Sequence, residues 1–345
     1  MRARFLALLV VLFLLACGAQ AAPGDVDPSF NTGAGPSGSV NAIAIQADRR
    51  ILIGGSFTAF AGIPQTNIAR LNTDGSLDGT FIPPVGSPLS SQSSVLSIAL
   101  QPDSRLLIAG RTTPVGGGFI VRLNSDGSLD QSFQSGTFNG EIDSITVRTN
   151  GEVLVSGLFT AISSIPKSGL AQLNTNGVLD TAFNPAITSY GHPRIHSVVL
   201  QPDSKLVIGG VFSTVGGASR TNIARLEANG GLDFAFDPGS GTSGLNNGVY
   251  SVAVQDDGKV IICGQFSAVN GATRLGIARL NSNGSLDSPF DLPFGYYCVA
   301  IEPTSSVIVG STRVARLTPS GGLTRAASST SGRAKSKFLC AAFNL

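Results

Sequence analysis

The 345-residue chain has no tryptophan, two histidines and four cysteines, and only 13% of its residues are charged. Each shortage narrows what the protein can do. Without tryptophan there is no indole platform on which a sugar would stack, which leaves Tyr190, Tyr296 and Tyr297 as the stand-ins. His192 and His196 lie four apart in His-Pro-Arg-Ile-His. On a helix that spacing would hold zinc, but Pro193 and the strand pattern after it oppose a helix, and no third ligand is near in sequence. Cys17 falls in the leader, so Cys263, Cys298 and Cys340 remain, which is no disulfide framework. Cys263 and Cys298 stand where other repeats have small residues; buried free thiols are the first reading and a bridge between them the alternative.

Catalytic signatures are missing as well. There is no Gly-x-Ser-x-Gly elbow, no P-loop and no Cys-x-x-Cys pair. Carboxylates recur at turns instead of converging as a glycosidase pair would. The sequence thus assigns no catalytic residue and no metal site, and the expectation is that the chain is not an enzyme. Charge is equally telling: outside the leader and the tail after Thr324, 17 bases face 21 acids, a net of about −4 that argues against nucleic acid as a partner.

What the chain does have is a repeat of about 50 residues. A Leu-Asp-like step precedes Phe30, Phe81, Phe133, Phe183, Phe236 and Phe290, at spacings of 51, 52, 50, 53 and 54. An Ala-Arg-Leu-like step ends at Leu71, Leu123, Leu173, Leu226, Leu280 and Leu317. A period in this range marks a supersecondary unit that must stack on its neighbours to bury its apolar surface. Within each copy a segment such as Asn41 to Gln46, Asp143 to Arg148 or His196 to Gln201 alternates with period two, which means strand. One side carries large residues (Ile43 and Ile45, Val198 and Leu200), the other small ones (Ala42 and Ala44, Ser197 and Val199). A sheet with one bulky and one lean face packs against copies of itself, as wedge-shaped blades do around an axis. Gly55, Gly110, Gly157, Gly210 and Gly264 recur near the end of the second strand, where glycine marks a bulge or a close backbone approach.

The predicted fold is therefore an all-β propeller of six blades over residues 22–324, with seven blades or an incomplete propeller as the alternative. The N-terminal Asp25 to Phe30 is an outer segment without inner strands. The last copy has inner strands but Thr324 and Ala327 where Asp78 and Phe81 would stand. The two are expected to complete one blade and close the ring. Whether each outer segment is a fourth strand or a helical turn is open, since Leu77 and Phe81 lie four apart.

Residues 1–21 read as a secretory signal, with Arg2 and Arg4 before the apolar run Phe5 to Ala16 and an A-x-A site at Ala19 to Ala21. At 12 residues that run is too short for a permanent membrane anchor. Leu-Leu-Ala-Cys at Leu14 to Cys17 also fits a lipoprotein box with Cys17 lipidated, so cleavage after Ala21 and lipidation both stand. Residues 325–345 read as a basic, Ser/Ala-rich tail.

The stretch Gly54 to Phe81, GGSFTAFAGIPQTNIARLNTDGSLDGTF, resembles the delta-60 repeat of large secreted or surface proteins, mainly bacterial. The likeness returns at Gly209 to Phe236 and Cys263 to Phe290, and more loosely at Ala109 to Phe133 and Ser156 to Phe183. It implies a propeller and a secreted or envelope location, and it carries over no catalytic residues.

No cofactor is expected. The alternative is calcium at the Asn-x-Asp-Gly hairpins, for example Asn72, Asp74 and Asp78, whose oxygens alternate as in a calcium loop but lack a closing Glu. A monomeric binding or surface-display module for an extracellular protein or glycan is the first functional reading. A rim-acting lyase or glycoside hydrolase and a structural envelope protein are the alternatives. Loop lengths place the binding face. Turns between first and second strands are short and uniform, whereas connections such as Asn184 to Arg194 and Asp237 to Gly248 vary, and variable loops on a rigid scaffold house recognition. Tyr190, His192, Arg194, Asn246 and Asn247 on this second rim are the candidate contacts.

Overall fold

The computed structural model describes residues 27–326 except 87, 114–115, 245–247, 293–294, 303–304 and 312–313. The leader with Cys17, the tail from residue 327 on, and Asn246 and Asn247 lie outside the described residues.

Alternation does produce strands. Six antiparallel sheets follow one another in chain order. Sheet 1 is Ser39–Ile45, Ile51–Ser56 and Ile68–Leu71. Sheet 2 is Ser93–Leu100, Leu106–Thr112 and Gly118–Leu123. Sheet 3 is Ile142–Val147, Val153–Gly157, Leu170–Leu173 and the short Leu179–Asp180. Sheet 4 is Arg194–Leu200, Leu206–Val211 and Ile223–Leu226, and sheet 5 is Gly248–Val254, Val260–Gln265 and Ile277–Leu280. Sheet 6 is Cys298–Ile301, Val307–Gly310, Val314–Leu317 and Leu323–Ala326. The innermost strand of each sheet packs on that of the next, the arrangement of a β-propeller.

Lean and bulky faces meet as their residues dictate. The Ser97, Ser197 and Ser251 hydroxyls accept hydrogen bonds at 3.1–3.2 Å from the backbone N–H of Ile145, Val252 and Val299 in the following sheet. A Cβ on Gly54 would lie 2.4 Å from Val95 Cγ1, and one on Gly209 2.6 Å from Val249 and Val252. Five buried apolar clusters fill the five successive interfaces from sheets 1 and 2 to sheets 5 and 6. A sixth belongs to sheet 1 and its own hairpin, with Phe30 of the N-terminal segment against it.

The outer segments are neither regular strands nor helical turns in most copies. Single bridges such as Leu71 to Leu77 and Leu226 to Leu232 hold them to the third strand. Each is locked by a column of polar contacts. Arg70, Arg122, Arg225 and Arg279 on third strands pair with Asp78, Asp130, Asp233 and Asp287 at 2.6–2.8 Å. The same guanidinium groups lie 4.6–5.0 Å from the rings of Phe81, Phe133, Phe236 and Phe290. They also donate to the turn carbonyls of Ser125, Thr175, Ser282 and Pro319 in the next sheet. Sheet 3 has Gln172 in that place. There Arg148, from the innermost strand, supplies the missing donor to Ala228 and approaches Phe183.

One expectation is corrected. The fourth position of sheet 6 is taken by Leu323–Ala326, paired with the third strand through Ala315 to Leu317, and not by the N-terminal segment. That segment docks on sheet 1 instead: Asn31 N–H donates to the Asp74 carbonyl at 2.7 Å, and Phe30 joins the sheet 1 cluster. Its sequence matches an outgoing outer segment, and it behaves as one toward the sheet that follows it, as Ile82 does toward Asp126 and Gln134 toward Asn176.

Candidate functional site

At the second-rim end of the innermost strands, one residue per sheet steps out of register. The pairing skips Asn41 in sheet 1, Leu96 in sheet 2, Asp143 in sheet 3, His196 in sheet 4 and Tyr250 in sheet 5. Tyr297 precedes the sheet 6 strand in the same place. A β-bulge leaves its extra residue unpaired and re-aims it. The recurrent glycines explain why the bulge stays put: a Cβ on Gly55, Gly110, Gly157, Gly210 or Gly264 would stand 1.9–2.1 Å from a carbonyl oxygen beside it. Only glycine fits that approach.

The bulged residues and their neighbours form a continuous polar and aromatic strip across sheets 2 to 6. Arg111 of sheet 2 pairs with Glu141 at 2.9 Å. Arg194 of sheet 4 bridges Glu141 at 2.9 Å and grips both Asp143 oxygens at 2.6 Å. His196 Nδ1 lies 3.5 Å from Asp143. The His196 and Tyr250 rings meet edge to face at 5.0 Å, and Tyr250 is followed by Tyr297 at 6.0 Å. The Tyr250 hydroxyl is hydrogen-bonded to Gln265 at 2.9 Å. On sheet 1, Asn41 donates to Ser94 Oγ and to the Val95 carbonyl of sheet 2.

Burial pushes Asp143 upward, but hydrogen bonds from His196 and Arg194, with the Arg194 charge, prevail and hold its carboxyl below the usual range. Asp143 is therefore an anion at neutral pH. Its charge beside Nδ1 of His196 favours the proton on that nitrogen, which leaves Nε2 as the basic one. The Tyr250 hydroxyl is raised by burial and by Tyr297, so it stays a neutral hydrogen-bonding group.

An open cavity of about 340 Å³ adjoins the strip, lined by Gly116, Asn139, Gly140, Glu141, Leu158, Thr160 and His192. Of the residues singled out from sequence, His192 lines this cavity with Glu141, Arg194 pairs with Glu141, and Tyr190 projects fully into solvent. Tyr296 is buried in the cluster between sheets 5 and 6, so it is a packing residue. Asp143, Glu141, Arg111 and Tyr250 were missed, and His196 was weighed only as a zinc ligand. The signal existed: every alternating segment begins on the bulged residue, and Asn41, Leu96, Asp143, His196, Tyr250 and Tyr297 vary where the positions after them do not.

The variable connections are more ordered than their lengths imply. Short hairpins such as Thr214–Val215 with Ala218–Ser219 stand between second and third strands, and four of them pair with the segment that precedes their sheet. The carboxylates proposed as calcium ligands are taken up by the protein itself. Asp74 and Asp126 accept from Ser76 and Ser128 in their own turns, and Asp78 and Asp130 face Arg70 and Arg122. Among the described residues, Cys263 and Cys298 are free thiols.

Comparison with known proteins bears on family and on catalysis. The chain matches the family described as a domain of unknown function (DUF5122) beta-propeller at residues 46–81, 101–133, 148–183, 201–236 and 255–290, just over half of its length. No curated protein matches it in sequence. Among solved structures it is similar to virginiamycin B lyase from Staphylococcus aureus, at 13% identity over 82% of each chain with a TM-score of 0.53. A chain of the mitotic checkpoint complex is similar at 14% identity, over 94% of this chain and 88% of that one, with a TM-score of 0.51. A gluconolactonase from Xanthomonas campestris aligns at 14% identity and a TM-score of 0.43, over 82% of this chain and 85% of that one. The expectation that the chain is not an enzyme is corrected here. It rested on absent sequence signatures, and an enzyme, the lyase, has a similar fold, so the absence of those signatures does not exclude catalysis.

Proposed function

This chain belongs to the DUF5122 β-propeller family, and from that premise we propose a secreted or envelope-associated propeller of the delta-60 kind that binds a polar ligand at the axial end of its second rim. One observation carries the reading: the bulged residues Asp143, His196 and Tyr250, with Tyr297 just ahead of the sheet 6 strand, bring polar or aromatic side chains from four successive sheets into one strip. Arg111 and Arg194 balance Glu141 and Asp143, so the strip is charged yet near neutral overall and suits a ligand with hydroxyl and amide groups more than a polyanion. An extracellular glycan or a polar protein segment has that chemistry, with Tyr250 and Tyr297 as the apolar wall.

The test is a glycan and protein array probed with the wild-type chain, His196→Gln and Tyr250→Phe. Binding that drops about tenfold in both variants, with unchanged melting, supports the site. Undiminished binding in both rejects it.

A second reading has its own observation, the pairing of His196 with Asp143. Both carboxylates at the strip are neutralised by Arg194, which leaves the imidazole as the group able to take a proton from a ligand. That arrangement suits lyase-type elimination better than glycoside hydrolysis, which needs a carboxylate pair across the scissile bond. Turnover of a polysaccharide or lactone panel that vanishes in His196→Gln would establish it, and turnover indifferent to that change would discard it.

A further inference from the structure

Five interfaces between successive sheets are buried, but the two terminal faces are not packed on each other in the same way. Among the described residues, no apolar cluster joins sheet 6 to sheet 1, and their innermost strands do not share the close packing seen between every successive pair. The outgoing face of sheet 6 leaves Val314 47% exposed, whereas its counterparts Ile68, Leu170, Ile223 and Ile277 are at most 1% exposed. The incoming face of sheet 1 leaves Ile43 38% exposed, against 5–8% for its counterparts Ile145, Val198, Val252 and Val299, and Ile45 beside it is 43% exposed. The outer edges of both ends are already finished, sheet 6 by Leu323–Ala326 and sheet 1 by Phe30 and Asn31.

These two faces are the lean and bulky halves of an interface the molecule builds five times. Cys298 is the sheet 6 counterpart of Ser251, and Ala300 and Gly310 continue the lean side; Ile43 is the sheet 1 counterpart of Val299. Since the Ser251 hydroxyl accepts from Val299 N–H, the same register sets the Cys298 thiol against Ile43 N–H. We propose that sheet 6 of one molecule docks its lean face on the Ile43 and Ile45 face of sheet 1 in a second molecule, so that copies join head to tail. A second copy supplies the matching face with each molecule keeping the sheet packing it has, whereas among the described residues its own two faces lack the packing that joins successive sheets. The contact is heterologous, so association leads to closed rings of copies or to fibres. This departs from the monomer expected from sequence.

The experiment uses the full chain with Ile43→Cys, mildly oxidised and run on non-reducing gels, with the linkage mapped by peptide mass. A ladder of covalent dimers and larger species, bridged through Cys298 and lost in Ile43→Cys/Cys298→Ser, is the expected result. A bridge between these positions confined to single chains would show a ring closing on itself and overturn the proposal, as would no bridge at all. Sedimentation of the unaltered protein provides the second measurement. Its mass should rise with concentration, and Val314→Arg, at a solvent-facing position that folding does not need, should shift the midpoint about tenfold upward. A single-chain mass at all concentrations for the unaltered protein overturns it too.

Discussion

Two columns of side chains run around this propeller, and they obey opposite rules. The outer column, Arg with Asp and Phe, is the same in sheets 1, 2, 4 and 5, and where Gln172 interrupts it in sheet 3, Arg148 reaches over from the end of the innermost strand to restore the contact. The axial column, Asn41, Leu96, Asp143, His196, Tyr250 and Tyr297, has six members and five residue types. Repetition marks what every interface needs in order to stand. Divergence at a position held to one geometry marks what stability leaves undetermined, and that is where a ligand can be recognised.

The sharpest way to break the contrast is to cut the outer column. Asp233 is 3% exposed and receives Arg225 and Lys205, so Asp233→Ala leaves a buried cation without its partner and should cost about 3–5 kcal/mol by urea unfolding. A loss no larger than that of an axial variant would erase the distinction.

Acid tests the same column without mutation. Burial raises Asp78 and Asp233, but hydrogen bonds from Thr80 and Arg70, and from Lys205 and Arg225, overcome it and hold both carboxyls at about 2. Asp130 is held at about 2 first by Ser132 and then by Arg122, against its own burial. Each is depressed on folding. The stability they contribute is complete above the unfolded carboxylate value of about 4 and is lost as pH falls toward about 2. The melting temperature should thus decline steeply between pH 4 and 2, and less steeply in Asp130→Asn; identical slopes would exclude the pairing.

Packing comes next. Gly209→Val would drive a side chain into Val249 and Val252 of the neighbouring sheet and should cost about 1–3 kcal/mol, whereas the same change at the exposed Gly79, which has nothing within 4 Å, should cost less. The smallest effect on stability belongs to the axis. Tyr250→Phe removes one hydrogen bond to Gln265, about 1 kcal/mol, and should act on binding far more than on unfolding. A stability loss on the scale of Asp233→Ala would make Tyr250 a structural residue.

Most of the architecture was legible in the residues. Alternation fixed the strands, the large and small sides fixed how sheets stack, and the recurring glycines announced the bulges. Ring closure was read wrongly because Thr324 and Ala327 break the pattern of the outer segment, while strand pairing requires only backbone, and residues 323–326 supply it. The axial site was only half legible. Arg194 and His192 were found through loop length, a property of the chain path. Asp143 was passed over because it looked like the polar start of a strand, and His196 was weighed only as a zinc ligand beside His192 and set aside. Their meeting depends on two bulges in adjacent sheets, which no spacing along the chain encodes.

That glycine-pinned bulge has a consequence for how such a protein can change. A residue outside the hydrogen-bond ladder can be exchanged without asking its neighbours to move, and the glycine opposite keeps the address fixed through every duplication of the unit. Copying the repeat therefore multiplies positions that are equivalent in space but independent in content. With five of them, and Tyr297 in the matching place of sheet 6, a few point substitutions rewrite the whole recognition surface, and a library randomised at Asn41, Leu96, Asp143, His196, Tyr250 and Tyr297 would sample new specificities on an unaltered frame.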